Sequence, residues 1–308
     1  MDETDARIIE VLRRDARRSY ADLGAAVRLS PHAVRQRMVK LIEAEELRIL
    51  GVIEPEALGY RLLANVTIRY RGDPAEFVRA MRAYECVTFI ASTVGRTNLL
   101  CEVASEDDSQ LSEFVAKSIA TVPGVDLFEI SRLVDVLKWK GLGWHEPAEP
   151  PTRVDFNQLD DIDTQILRVL LYDPRIKIAK LAERIGCPYP TLRRRVSALF
   201  DRGFIEAVAV TERVVPGRDT LALVLLQSAS AEAWRSGLAD LPGVNIASRT
   251  IGAHAGLLEV MATDARELVK AVDRIASYPG VRVAESLMIA RSLVLPVAWR
   301  FGGTAISI

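Results

Sequence analysis

Apolar positions recur at helical spacing three times within residues 1–47. Ile8, Ile9 and Leu12 form one stripe, behind an acidic first turn of Asp2, Glu3 and Asp5 that suits the positive end of a helix dipole. Leu23 and Val27 form a second, opened by Ser19 as an N-cap. Ser30, followed by Pro31 at the first helical position, opens a third, with Val34, Met38 and Leu41 inward. Three short helices with a tight turn between the last two fit a helix-turn-helix unit.

Residues 60–138 change period. Leu62–Tyr70 is β-branched and alternating, Pro74–Tyr84 is helical, and Val87–Val94 and Leu99–Ser105 read as strands around the Gly95–Asn98 turn. Asp107–Thr121 is helical again and Val125–Leu137 is a long strand. That order is βαββαβ, a ferredoxin-like pattern.

The whole arrangement then repeats. Met1–Leu47 lies on Leu159–Ile205 without a gap, and Asp2, Asp5, Ile8, Asp15, Arg17, Leu23, Arg35, Arg37 and Leu41 recur as Asp160, Asp163, Ile166, Asp173, Arg175, Leu181, Arg193, Arg195 and Leu199. Gly95 matches Gly252, and Pro123-Gly124-Val125 matches Pro279-Gly280-Val281. Strands are predicted near Thr220–Ser228, Val244–Ile251, Gly256–Thr263 and Val281–Leu293. The fold class is therefore α+β, with two winged-helix-like helix-turn-helix domains and two ferredoxin-like βαββαβ domains in tandem. Residues 1–50 and 159–210 hold the helical domains, 60–138 and 218–300 the βαββαβ domains. Trp139–Gln158, with Gly141, Gly143, Pro147, Pro150 and Pro151, reads as the linker.

Composition narrows the function. The 308 residues carry 40 basic and 41 acidic side chains, so any nucleic-acid partner must be met by local clusters of charge. Cys86, Cys101 and Cys187 are scattered and form no CxxC pair, which argues against a disulfide framework or a thiolate zinc site. The acidic start is the reverse of a signal peptide, and apolar runs such as Leu221–Leu226 are far short of the ~20 residues that span a bilayer. A soluble, cytoplasmic protein with no membrane partner is expected.

The clusters exist. With Val34 facing the core, His32 and Gln36 point away from it, flanked by Arg35 and Lys40, and Ser30 stands at the helix start. In the second copy Leu192, Val196 and Leu199 face inward, Arg194 points out between Arg193 and Arg195, and Tyr189 and Thr191 lie in the first turn. Guanidinium groups beside a helix N-terminus can hold phosphates and reach guanine edges in the major groove. A solvated basic face is the plain alternative, but two copies at the same place in the same motif favour DNA. Arg37 and Arg195 lie nearest the core edge, where pairing with Asp5 and Asp163 competes with DNA contact. The copies have diverged: Gly186 supplies the positive φ that the turn between helices favours where Arg28 stands in the first copy. Gly203 corresponds to Glu45, and Pro188 replaces the capping Ser30.

In these features the chain resembles the Lrp/AsnC (leucine-responsive, feast/famine) transcription regulators, twice over. The resemblance is carried by Asp2-Glu3-Thr4-Asp5, Leu159-Asp160-Asp161-Ile162-Asp163, Asp15-Ala16-Arg17, Asp173-Pro174-Arg175, Glu54-Pro55-Glu56-Ala57-Leu58-Gly59 and the two Pro-Gly-Val triplets. It implies DNA binding through the helix-turn-helix copies and oligomerisation through the βαββαβ (RAM-type) domains. It also implies a small effector, often an amino acid, near the loop between the second and third strands. That loop is Gly95-Arg96-Thr97-Asn98 in one copy and Gly252-Ala253-His254-Ala255 in the other. The family's acid at the last position has become Asn98 and Ala255. His254 reads as a solvated hairpin residue, with a ligand contact or a pH-sensitive group as the other readings. The expected protein is a fused pseudo-dimer on an imperfectly palindromic double-stranded operator, forming homo-oligomers.

No cofactor or metal is expected, because His32, His145 and His254 form no ligand spacing and no GxSxG, GxGxxG or Walker loop occurs. Trp139 and Trp144 read as linker packing or a contact surface, Trp234 and Trp299 as core or interface. Siroheme decarboxylases resemble this architecture and offer an enzymatic alternative, and an effector-sensing scaffold without DNA binding is a third. Tetrapyrrole chemistry would be expected to use histidine near the first strand of a βαββαβ domain. Neither Gly59–Tyr70 nor Gly217–Leu223 contains one, so no enzyme is expected.

Overall fold

The computed structural model describes residues 2–44, 46–139, 155–210, 220–294 and 298–299. The first copy forms α1 (Glu3–Arg14), α2 (Tyr20–Val27), α3 (Pro31–Glu43), β1 (Arg48–Ile53), β2 (Leu62–Tyr70), α4 (Pro74–Met81), β3 (Val87–Val94), β4 (Leu99–Ser105), α5 (Asp108–Phe114) and β5 (Val125–Trp139). The second forms α6 (Asp161–Leu170), α7 (Ile178–Ile185), α8 (Tyr189–Asp201), β6 (Glu206–Val210), β7 (Thr220–Ala229), α9 (Ala231–Arg235), β8 (Val244–Gly252), β9 (Gly256–Ala262), α10 (Ala265–Ala276) and β10 (Val281–Val294). A short β11 (Ala298–Trp299) follows. Most of the expected linker, with Trp144 and His145, lies outside the described residues, as do Glu45 and Gly217–Asp219. No described helix is long and apolar enough to cross a membrane.

The chain divides into two compact units. One holds both helix-turn-helix copies with β1, β6 and β11. Its helices begin and end as their residues dictate. Asp2 and Asp5 exchange side-chain to backbone hydrogen bonds in a capping box at α1, and Asp160 and Asp163 repeat it at α6. Ser19 caps α2 and Ser30 caps α3, whereas Pro188 offers α8 no capping oxygen. Between the second and third helices the chain passes through the left-handed region in both copies, at Gly186 (φ 72°) and at Arg28 (φ 59°). The apolar stripes are fully buried. Ile8, Leu12, Leu23 and Val34 close one core and Ile166, Leu167, Leu181 and Leu192 the other, each side chain contributing roughly 1.5–3 kcal/mol.

The two copies in this unit are joined by β1 and β6, which pair antiparallel with Leu50 opposite Val208. Continuing the ungapped repeat, Leu50 and Val208 are the same position of the two copies, so a pseudo-two-fold axis passes through that pair. Arg48↔Val210 and Val52↔Glu206 fall symmetrically about it. Gly51 donates its amide to the Leu171 carbonyl at 2.9 Å, and a Cβ there would stand 2.6 Å from the Leu170 carbonyl oxygen, an approach only glycine permits.

The second unit is one closed barrel in the order β10-β3-β4-β2-β5-β8-β9-β7. Each copy keeps the ferredoxin-like order of second, third, first and fourth strand, and the sheets join through β5–β8 and β10–β3. Along β7, Ala222, Val224 and Leu226 face the helices while Leu221, Leu223 and Leu225 face the barrel interior. That double burial is why the run Leu221–Leu226 shows no polar alternation. The interior wall also carries an acid: Glu259 pairs in register with Leu223 and Ile246, both on the inner wall. Desolvation of this half-buried side chain, with the charge of its repeat counterpart Glu102 added, pushes its carboxyl up to about 7. Trp234 packs against the core of the second sheet, and Trp299 is buried in the helical unit.

Candidate nucleic-acid interface and effector loops

The third helix of each helix-turn-helix copy presents two kinds of arginine. On α3, His32, Arg35, Gln36 and Lys40 are exposed, as is the capping Ser30, whose Oγ accepts the Ala33 amide at 3.1 Å. On α8, Arg193, Arg194 and Tyr189 are exposed and Thr191 is half-buried. None of Arg35, Lys40, Arg193 and Arg194 pairs with an acid among the described residues, so these cations remain available to an external anion.

Arg37 and Arg195, half-buried at the surface, are instead paired with acids of their own copy. Arg37 Nη1 donates to Asp2 at 2.6 Å and to Asp5 at 2.8 Å, and Arg195 Nη1 donates to Asp160 at 2.9 Å and Asp163 at 2.7 Å. Each guanidinium thereby ties the third helix to the capping box of the first. The amide of Asp5, and then the Arg37 guanidinium, hold the Asp2 carboxyl below its usual range; Asp163 and Arg195 do the same to Asp160. These two arginines hold the third helix of each copy to the first, which is the pairing that their place at the core edge sets against DNA contact.

The two hairpins differ more sharply. Asn98 uses its side chain as a piece of strand: Oδ1 accepts the Tyr70 amide at 2.8 Å and Nδ2 donates to the Tyr70 carbonyl at 2.9 Å. Thr93 Oγ1 donates to the Thr97 carbonyl as Thr250 Oγ1 does to that of His254, so the hairpin frame is shared. Gly252 adopts φ 123°, and a Cβ there would collide with the Ile130 carbonyl. His254, expected in solvent, is only 6% exposed. The hairpin folds down on β5, where Ala253 donates to the Ile130 carbonyl and Ser131 Oγ lies 2.9 Å from His254 Nδ1. Burial lowers the His254 pKa and keeps the ring neutral at neutral pH. Arg96, exposed on the first hairpin, ion-pairs with Glu129 and lies 3.3 Å from Glu285.

Four of these participants carry little or no functional signal in the sequence. Glu129 and Glu285 each lie four residues past a Pro-Gly-Val triplet; Glu129 passes for an ordinary polar position on a long strand, and the signal at Glu285 is an acid in the apolar phase of Val281, Val283 and Leu287. Arg17 and Arg175 stand out there only as repeat markers. Arg17 lies over the Phe200 ring at 3.7 Å, and Arg175 lies over Tyr20 at 4.9 Å while donating to the carbonyls of Ala16 and Arg18.

Comparison with known proteins agrees with the repeat. The AsnC-type helix-turn-helix domain model matches residues 1–42 and again 159–199, and the PF0864 C-terminal dimeric alpha+beta barrel domain model matches residues 76–143. The chain is 30% identical over 136 residues to an uncharacterized HTH-type transcriptional regulator of Pyrococcus abyssi, covering 43% of this chain and 86% of that relative. It is 28% identical over 128 residues to the HTH-type transcriptional regulator FL11 of the same organism, covering 41% and 84%. Such relatives match less than half of this chain yet most of their own length, as a doubled chain requires. The crystal structure of the siroheme decarboxylase NirDL in complex with an iron-uroporphyrin III analogue is similar in fold, with a TM-score of 0.62 at 14% identity. That likeness covers 94% of this chain and 92% of that one. On its sequence motifs and its fold, the chain belongs to the Lrp/AsnC family of transcriptional regulators.

Proposed function

We propose that the chain binds an imperfectly palindromic double-stranded operator as a fused pseudo-dimer, one recognition helix from each copy. The observation that carries this reading is the pairing pattern on α3 and α8. In both copies the arginine at the core edge is consumed by the capping box, while its outward neighbours Arg35, Lys40, Arg193 and Arg194 are left to bind phosphate and base edges. Ser30, His32, Gln36, Tyr189 and Thr191 complete the two surfaces. Two such helices address half-sites about one helical turn, ~34 Å, or a multiple of it apart. Because their residues differ, so do the half-sites. The barrel serves homo-oligomer assembly, and a small effector such as an amino acid acts at the hairpins Gly95–Asn98 and Gly252–Ala255 by favouring one assembly over another.

The test is a footprinting titration on the DNA upstream of the protein's own and neighbouring genes at two salt concentrations, repeated with a panel of amino acids. Saturable protection with a steep salt slope is expected. No protection at low salt would remove the reading. The whole-chain likeness of fold to NirDL supports a second reading, a siroheme decarboxylase-like enzyme. A Soret shift on adding siroheme to the purified chain, followed by loss of carboxylate, is its test.

A further inference from the structure

Glu129 and Glu285 are the same position of the two copies, and both lie against the single Arg96 guanidinium. A group that touches two symmetry-equivalent residues stands at the barrel's pseudo-two-fold axis. There the duplication has been broken: the first hairpin delivers Arg96 to this point and the second delivers His254. Glu129, His254 and Glu285 each bring a ligand atom to within 4.8 Å of the others.

We propose that Glu129, His254 and Glu285 form a binding site for a divalent cation of the zinc class, with Arg96 as the displaceable occupant of its metal-free state. The His254 side chain is 5% exposed, and Ser131 at Nδ1 fixes the ring so that Nε2 faces the carboxylates. Nε2 stops 3.9 Å from Glu285 Oε1, too far for a hydrogen bond. Two atoms bound to one tetrahedral zinc ion lie about 3–4 Å apart, so this separation suits two ligands of a common ion. A second observation agrees: Glu285 Oε2 is buried and has no hydrogen-bonding partner among the described residues.

The chemistry suits such an ion. A neutral imidazole and two carboxylates are ligands for zinc and its neighbours. A ligating histidine is ordinarily held by an acceptor at its other ring nitrogen, a place the Ser131 hydroxyl can fill here. The Arg96 side chain is 44% exposed, so it has solvent to swing into when the ion enters. With three protein ligands a fourth position stays open, which the carboxylate of a small effector can occupy. The site takes up the hairpins that the regulator reading assigns to effector sensing and rests on that reading only for its physiological use. Metal binding is therefore measured directly rather than through DNA.

The experiment is titration of the chelator-stripped full chain with Zn²⁺ against a chromophoric competitor, and with Co²⁺ by visible absorption. One equivalent is expected to bind without a thiolate charge-transfer band. His254→Ala should weaken it at least tenfold, and Ser131→Ala roughly tenfold. Arg96→Ala should tighten it several-fold, because the competing cation is gone. Absence of saturable binding, a thiolate band, or undiminished affinity in folded His254→Ala would overturn the proposal. Should His254→Ala fail to fold, Arg96→Ala decides: an affinity that is unchanged or weaker overturns it.

Discussion

Arg17 and Arg175, one position counted twice by the repeat, reach across the helical unit to different partners. Arg17 stacks on Phe200 of the second copy, whereas Arg175 stacks on Tyr20 of the first and also binds the Ala16 and Arg18 carbonyls. Burial, with the nearby charge of Arg175, lowers the Arg17 pKa. The symmetric backbone pairing at Leu50 and Val208 is thus closed by an asymmetric pair of cations.

Arg175 carries the more specific contacts, so Arg175→Ala should destabilise the helical unit by about 1–3 kcal/mol through two charge-assisted hydrogen bonds and a ring contact. Arg175→Lys should recover only part of this, since a single ammonium does not reproduce the planar fork. Urea unfolding of the full chain, followed by far-UV circular dichroism, measures both.

Charge removal from the recognition helices should act on DNA alone. The double variants Arg35→Ala with Lys40→Ala, and Arg193→Ala with Arg194→Ala, should each weaken operator binding at least tenfold. Each should also flatten the dependence of log affinity on log salt, by about one unit for every phosphate that is no longer neutralised. Their melting temperatures should stay close to wild type, because these side chains are exposed and pair with no acid among the described residues. Anisotropy titrations over a salt series, with parallel thermal melts, test this.

The inter-helix turn offers a comparison within one chain. Gly186→Ala forces a Cβ into the left-handed region and should cost about 1 kcal/mol. At the equivalent Arg28 that strain is already present, so Arg28→Ala should change stability by only a few tenths and Arg28→Gly should raise it slightly. Differential scanning calorimetry of the three variants gives the ranking.

Glu259 should impose a pH dependence on stability. Its folded pKa of about 7 lies above the ordinary value of 4.5, so between those values the folded chain holds a proton that the unfolded chain releases. Its contribution is most favourable below about 4.5, falls as pH rises through about 7, and is level above that. The whole fall is about 3 kcal/mol at most. Glu259→Gln should flatten the melting-temperature profile between about pH 5 and 8 and stabilise the protein at the alkaline end.

Much of this fold is written in short-range pattern. The stripes Ile8–Leu12 and Ile166–Leu170, the caps at Ser19 and Ser30 and the left-handed Arg28 each follow from a few neighbouring residues, and the repeat supplies the check. What escapes is set by distant partners. Closure of the barrel depends on β5 meeting β8 and β10 meeting β3, pairings that no local period encodes. His254 looks like a hairpin residue because the strand its hairpin folds onto, with Ile130 and Ser131, lies in the other copy. Glu129 sits as a polar residue between Phe128 and Ile130, and Glu285 stands in the apolar phase of Val283 and Leu287, but no spacing along the chain shows that the two converge on Arg96. Arg37 and Arg195 are separable from their neighbours only because helical geometry sets them beside the core.

The mismatch of Arg96 with His254 has a consequence for how this molecule can change. In an assembly of two identical chains every substitution arrives twice, and an arginine placed on the axis would confront its own image. Here one chain carries both halves, so a substitution in one hairpin meets an unaltered counterpart. The two halves can drift as two genes do while being inherited, synthesised and folded in fixed one-to-one proportion.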